Sequence, residues 1–358
     1  MSTHDGVRKR SVVNARTPRV AVFGAGSIGC YLGGRLAPVA DVTLVGRPAA
    51  MAAVRRNGLT LTHGDHIARH VPGTGLRAGT DPRSAAGADF VLITVKSADT
   101  VTAARDLAPH LGPRTIVCSL QNGVHNARVL RDALPGHTVL AGMVPYNVAE
   151  TAPGHFHQGS GGALMLDATD DGRRLAGLLS RADLEARPQA DMRGVQYAKL
   201  LMNLNNALNG LSGLPLRDQL EQRAYRSCLA LCQQEALAAY QAAGIVPARL
   251  TPVPPSLTPA LLRLPDRVFR TVARRSLLID AKARSSLWDD LERGRRTEID
   301  QLQGEVVALA RRHGLSAPAC ARVVTLVREA EVAEPGRRRR WSGSDLLAVL
   351  TAARRQGA

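Results

Sequence analysis

One segment limits the fold of this chain more than any other. "RVAVFGAGSIGCYLGGRLA", residues 19–37, runs from an apolar strand pattern through a glycine-rich turn into a helical pattern. Within it, Gly24 to Gly29 match G-x-G-x-x-G. The string alone is weak evidence. Placed between the end of a strand and the start of a helix, it predicts the first βα unit of a dinucleotide-binding sheet. Gly24 allows the tight turn, Gly26 lets the backbone approach a pyrophosphate, and Gly29 lets helix and sheet pack closely. Ser27 and Ile28 lie in the same turn, where free N–H groups at the helix start can meet phosphate oxygens.

The pattern continues beyond this unit. "DVTLVGR" reads as a second strand and "GLTLTHGDHIARHV" as a hairpin. Strands follow at 90–95 and 115–120, with a helix at 98–110 between them, and then at "HTVLAGMV" and "GALMLD". Apolar strands alternating with amphipathic helices indicate a mostly parallel sheet covered on both faces. After "LEARPQAD" strand signals nearly vanish. Helices are expected at 195–210, 222–243, 267–292 and 296–313, with a Pro-rich loop at 251–259. The fold class is therefore an α/β Rossmann-type doubly wound domain followed by an all-α domain. The expected division is a basic extension at 1–18, a nucleotide-binding domain at 19–189, a helical substrate domain at 190–330 and an Arg-rich extension at 331–358.

A chain of 358 residues, 45% hydrophobic, has material for two such cores. The net charge of +17 invites a nucleic-acid reading. Residues 1–19 carry a net +4 and residues 335–358 a net +5, so nine of the seventeen charges fall on two ends expected to be solvated tails. No nucleic-acid module accompanies them, so such a partner is not expected. A basic body also suits dinucleotides and carboxylates. No apolar run reaches the roughly 18 residues of a membrane span, and the N-terminus lacks the apolar core of a signal peptide. Five scattered cysteines suggest reduced thiols in the cytoplasm. Cys228 and Cys232 lie one helical turn apart and read as packed thiols. His155 and His157, on one face of a strand, read as ordinary surface or loop histidines. No metal site is expected.

Four features bear on ligands. The second strand ends in Gly46-Arg47, where an NAD site would carry Asp or Glu. A cation there suits a 2′-phosphate, which favours NADPH. Lys96 follows the strand 90–95 and could hold an anion or the nicotinamide end of the cofactor. Asn122 follows the strand 115–120 and could bond a ribose or a substrate oxygen. Finally, "YAKLLMNLNNALNG", Tyr197 to Gly210, sets one lysine and four asparagines into a wide apolar helical surface. Burying an unpaired neutral polar group costs on the order of 2–7 kcal/mol, so Lys199, Asn203 and Asn206 need a reason to be there.

The ordered set GAGSIG, Arg47, TVKS, QNG, K-L-x-x-N at 199–203 and "RSSLWDDLERGRRTEID" at 284–300 resembles the ketopantoate reductase (2-dehydropantoate 2-reductase) family over about residues 19–328. The resemblance implies a Rossmann domain, a helical domain and NADPH-dependent reduction of a 2-oxo acid to a D-2-hydroxy acid, on the route to pantothenate and coenzyme A. It implies Lys199 as general acid, Asn203 as the helical asparagine, Ser286 on the substrate carboxylate and Glu298 as the acid near the substrate. The chemistry agrees: hydride addition to a ketone generates an alkoxide that needs a proton donor, and an ammonium also stabilises the developing charge. Glu298 could keep Lys199 charged or accept a bond from a substrate hydroxyl.

Two departures stand out. Ala207 replaces a second family asparagine, with Asn206 as the neighbouring substitute, and the family's late Asn-Gly and Pro-x-Asn pieces appear here as Gln303-Gly304 and Pro318-Ala319-Cys320. These bear on substrate identity, so a related reductase for another 2-oxo or imino acid is the alternative. A non-catalytic dinucleotide sensor is the rival from another class. A small-molecule 2-oxo acid is the expected partner, with a homodimer left open.

Overall fold

The computed structural model describes residues 16–64, 66–272, 283–334 and 336–356. The basic extension at 1–18 lies almost wholly outside them.

Among the described residues twelve strands form two sheets. They are β1 (Arg19–Phe23), β2 (Asp41–Val45), β3 (Leu59–His63), β4 (His66–Val71), β5 (Arg77–Gly79), β6 (Phe90–Ile93), β7 (Ile116–Ser119), β8 (Thr138–Met143), β9 (Val148–Ala152), β10 (His155–Gln158), β11 (Leu164–Asp167) and β12 (Ala186–Gln189). The larger sheet has the order β12-β11-β8-β7-β6-β1-β2-β5. Its pairs from β8 through β5 are parallel, and only β8 and β11 pair antiparallel. Strand order reverses beside β1, which opens a crevice at the carboxyl ends of the strands. Strands β6 and β7 are buried along their whole length, as a sheet covered on both faces requires. The expected hairpin is β3–β4. It belongs to a second sheet, β4-β3-β10-β9, that the sequence pattern did not reveal. His155 and His157 lie in β10, and His157 Nδ1 sits 2.8 Å from Thr62 Oγ1.

From Met192 onward the described chain is helical. The expected helix 195–210 is two, Met192–Asn203 and Asn205–Ser212. They part at Leu204, whose carbonyl accepts a 2.7 Å bond from the buried Gln303 Nε2. A side chain bonding into the i→i−4 ladder is a recognised cause of such a break. The helix expected at 222–243 is Arg223–Ala242. The single helix expected at 267–292 does not form. Asp266–Val272 and Ser286–Glu292 are separate, with residues 283–285 non-helical before the second and residues 273–282 outside the description. The helix expected at 296–313 begins only at Gln303, after a short 3-10 turn at Ile299–Gln301, because Leu302 leaves helical geometry at φ −104° and ψ −101°.

The C-terminal segment corrects another expectation. Read as a solvated Arg-rich tail, it instead forms a helix, Gly343–Gln356, that completes the helical core. Trp341 is buried. Its N–H donates to Leu211 O at 2.9 Å, and its carbonyl accepts from Tyr225 Oη at 2.7 Å. Gly343 abuts Ala224 and Tyr225, and Arg354 reaches Glu235, so the helix runs beside Arg223–Ala242. Leu346 and Leu350 are fully buried. Arginine dominates the composition there and hides the apolar spacing that drives this packing. Cys228 and Cys232 are core thiols, as expected, and all five cysteines are buried and free. Among the described residues no helix is long and apolar enough to cross a membrane.

Candidate functional site

One cleft of about 720 Å³ lies between the carboxyl end of the large sheet and the first two helices after Asp191. Binding pockets for small molecules span roughly 300–1,000 Å³. Gly24, Gly26, Ser27, Ile28, Arg47, Lys96, Asn122, Lys199, Asn203, Asn206, Ser286 and Glu298 all line it. Twelve residues chosen from six separate stretches of sequence thus share one wall.

Local chemistry explains the nucleotide end. Gly24 stands at φ +99°, and a Cβ there would sit 2.5 Å from Val95 N. Only glycine takes that turn without strain. A Cβ at Gly26 would meet nothing closer than Gly24 O at 3.9 Å, so this backbone faces open space on the cleft side. The helix Ser27–Leu36 has no side-chain cap, which leaves its first N–H groups for a ligand. Gly29 is the one predicted cofactor residue outside the cleft wall. It lies under the turn, where a Cβ would press on Thr94 Oγ1 at 2.7 Å, so its part is packing. Arg47 is exposed at the end of β2. A dinucleotide fits this end: room at Gly26 for close approach, free N–H groups for the pyrophosphate and a cation where a 2′-phosphate would lie.

Lys96, expected to hold an anion or the nicotinamide end of the cofactor, has protein partners here. Its Nζ lies 2.7 Å from Asp290 and donates to Arg296 O at 2.9 Å, so its charge is matched across the cleft by the helical domain. An incoming anion would have to exchange with Asp290.

At the other end, Asp191 caps the helix Met192–Asn203 through Gly194 N at 2.8 Å. That helix carries Lys199 in the wall, where Nζ donates to Pro145 O at 3.2 Å. Burial lowers the Lys199 pKa from its usual 10.5 to about 8. Asn203, one turn on, contacts Asn122 at 3.5 Å. Asn122 in turn donates to Glu298 at 3.4 Å. Glu298 accepts from Ser97 N at 3.0 Å and lies 3.1 Å from Ser97 Oγ. It therefore ties the loops after β6 and β7 to the helical domain. Of the two parts expected of Glu298, holding Lys199 or accepting from a substrate hydroxyl, neither is what its own bonds make: they go to Ser97 and Asn122.

The four asparagines of the run Tyr197–Gly210 divide by role. Asn203 and Asn206 line the cleft. Asn205 and Asn209 turn inward to Gln219, which exchanges two bonds with Asn205 and accepts a third from Asn209 at 3.1 Å. Asn209 Oδ1 also accepts from Ser285 N at 3.0 Å. These inner pairs satisfy buried amides that would otherwise be costly. A Cβ at Gly210 would lie 2.7 Å from Leu287, so glycine there lets the helix Ser286–Glu292 approach closely enough to set Ser286 in the cleft. Gln303 was marked only as a departure from the family pattern, and sequence reasoning missed Asn209, Gln219 and Gly210. The only signal for them was the cost of so many amides in one apolar run. Among the described residues no cluster of His, Cys, Asp or Glu could hold a metal.

A family model described as "Ketopantoate reductase PanE/ApbA" matches residues 20–171, and one described as "Ketopantoate reductase PanE/ApbA C terminal" matches residues 191–331. A 2-dehydropantoate 2-reductase of Halobacterium salinarum is 32% identical over 321 residues, covering 87% of this chain and 99% of its own length. Among solved structures, a PanE/ApbA family ketopantoate reductase from Ralstonia eutropha JMP134 is 32% identical with a TM-score of 0.74, covering 87% of this chain and 98% of its own. A D-mandelate dehydrogenase with NADH and anilino(oxo)acetate shares the fold, at 19% identity and a TM-score of 0.72, covering 87% of this chain and 98% of its own.

Proposed function

The chain belongs to the ketopantoate reductase family, NADP-dependent oxidoreductases of 2-oxo acids, and from that premise we propose that it reduces 2-dehydropantoate to (R)-pantoate, the step that feeds pantothenate and coenzyme A synthesis. One observation carries the reading: a lysine with its pKa lowered to about 8 lines the same cleft as the glycine turn and Arg47.

NADPH, when bound, supplies the hydride to the 2-oxo carbon. The chain's own residues do the rest. Gly24, Gly26, Ser27 and Ile28 receive the pyrophosphate with main-chain groups, and Arg47 takes the 2′-phosphate. Lys199 donates a proton to the substrate's C2 oxygen as negative charge builds there. A donor with a pKa near the working pH combines a large protonated fraction with easy release. Pro145 O directs the ammonium without neutralising it. Asn203 and Asn206 bond the substrate's polar groups, and Ser286 meets its carboxylate. Asn122 is oriented by Glu298, so that carboxylate acts by positioning. Lys96 leaves Asp290 to meet the cofactor's anionic or nicotinamide end.

The test is NADPH oxidation against a panel of 2-oxo acids headed by ketopantoate, with NADH run in parallel and the hydroxy acid's configuration determined. Turnover of ketopantoate with NADPH to the R product is the expected result. Turnover confined to another 2-oxo acid would keep the reaction class and change the substrate. Tight NADPH binding with no turnover of any 2-oxo acid would leave a dinucleotide sensor.

A further inference from the structure

The substrate end of the cleft holds a cation that the catalytic scheme leaves unused. Arg284 precedes the helix Ser286–Glu292, and between them the N-cap Ser285 is extended at φ −78° and ψ 153°. An extended residue sends its side chain to one face and those of its two neighbours to the other. Burial follows that rule: Ser285 is fully buried, whereas Arg284 and Ser286 are exposed and both line the cleft.

The run is anchored. Ser285 N donates to Asn209 Oδ1 at 3.0 Å, and its Oγ donates to Asn206 O at 3.0 Å. Ala283 O accepts from Leu216 N at 2.9 Å. The same anchors place Arg284 and Ser286 beside Asn206, seven residues after Lys199, and so at the lysine end of the cleft. The Arg284 guanidinium carbon lies 4.4 Å from the centroid of the Trp288 ring. Trp288 is itself buried, and its indole N–H donates to Glu292 at 3.2 Å. A guanidinium resting on a fixed ring keeps its N–H edge free for an in-plane, two-point contact with a carboxylate.

Resting on the reading of the cleft as a 2-oxo acid site, we infer that Arg284 is a substrate-binding residue that takes the substrate carboxylate together with the Ser286 hydroxyl, and thereby selects 2-oxo acids over neutral 2-oxo compounds. Among the carboxylates lining the cleft, Asp289 is one that Arg284 acts on. Burial pushes its carboxyl above the usual range, against the pull of Arg293 and Arg284, which weakens it as a competitor for the guanidinium. The dinucleotide phosphates have their own receivers at the opposite end, in the glycine turn and Arg47.

The experiment compares wild type with Arg284→Ala, Arg284→Gln and Arg284→Lys. Each is assayed on a 2-oxo acid that the wild type reduces and on the corresponding 2-oxo amide, with the NADPH Kd measured separately. Arg284→Ala should raise the KM for the acid about 10–100-fold, the range for losing a charge-assisted contact. The amide KM, the NADPH Kd and kcat should change little. Arg284→Lys should recover part of the loss, since it keeps the charge without the fork, and Arg284→Gln should not. Equal losses for acid and amide would make Arg284 a prop for Trp288 and overturn the inference, as would an unchanged acid KM. If the wild type itself reduces no 2-oxo acid, the functional reading fails and takes this inference with it. A wild type that reduces the acid beside indifferent variants overturns the inference alone.

Discussion

The two ends of the cleft are built from different materials. The nucleotide end is mostly main chain: a glycine turn at φ +99°, an uncapped helix start and open space at Gly26. The lysine end is mostly side chain, delivered by three helices and held by amide networks through Gln219, Gln303 and Asn209. A main-chain site needs only a few consecutive residues and tolerates variation around them. A side-chain site depends on how distant helices pack, so its specificity can drift while the reaction stays. The departures from the family pattern, at Ala207 and Gln303, fall in the second kind.

Replacing the lysine should break the comparison most severely. Lys199→Met should lower kcat about 10²–10⁴-fold, the span for a positioned acid, while NADPH still binds. The same change should raise thermal stability. A pKa lowered from 10.5 to about 8 means the folded state resists the charge, by about 3 kcal/mol at 1.36 kcal/mol per unit. The signs for pH follow. Activity in the reducing direction should fall as pH rises through about 8, because the donor loses its proton. Stability should rise between about 8 and 10.5, where only the unfolded chain still holds the proton, and stay flat below. Melting curves across that window, with and without the substitution, check it. A Lys199→Met enzyme that keeps its turnover would end the general-acid assignment.

Arg47→Ala tests the nucleotide end alone. It should weaken NADPH binding by about 1.5–3 kcal/mol, as for other charge-assisted contacts, and NADH binding much less. Titration calorimetry with both cofactors decides this, and equal losses would remove the 2′-phosphate from the account.

Ser286→Ala and Asn203→Ala test the other end. Each should raise the 2-oxo acid KM about tenfold, the worth of one hydrogen bond of roughly 1.4 kcal/mol, with the NADPH Kd unchanged. A cofactor defect with normal KM would put these residues on the wrong ligand.

The smallest effect should come from Gln303→Leu, which removes the Gln303 bond to Leu204 O. A shift of Asn203 should raise KM a few-fold, while the lost hydrogen bond should cost about 0.5–1.5 kcal/mol in stability. Gln303→Asn, one methylene shorter, should lie between. A KM untouched by either would mean that the break at Leu204 is set by packing alone.

Much of the fold was legible because strand and helix periods are local. The parallel strands, the helix Arg223–Ala242 and the change of pattern near residue 190 follow from spacing alone. The second sheet was harder to see, because its strands β9 and β10 are short and half-exposed and carry little apolar alternation. The helix breaks near Leu204 and Leu302 were illegible, since each depends on a partner far along the chain or on a local departure from helical geometry. The place of Trp341, within a segment read only as an Arg-rich tail, was not legible. Its burial depends on Leu211 and Tyr225, over a hundred residues away.

The sequence by itself determined the chemistry on offer: a glycine turn after a strand, a cation at Arg47 and a lysine in an apolar helix. Each of these is a property of neighbouring residues, and neighbours stay neighbours in any fold. Only the tertiary structure decided which asparagines face the cleft and which face Gln219, that Lys96 meets Asp290, and that Glu298 serves Asn122 rather than Lys199. A polar side chain in an apolar run must find a partner, and several candidates lie within reach along the sequence. The choice among them is made by how closely the helices pack, and that is set where Gly210 lets Leu287 in.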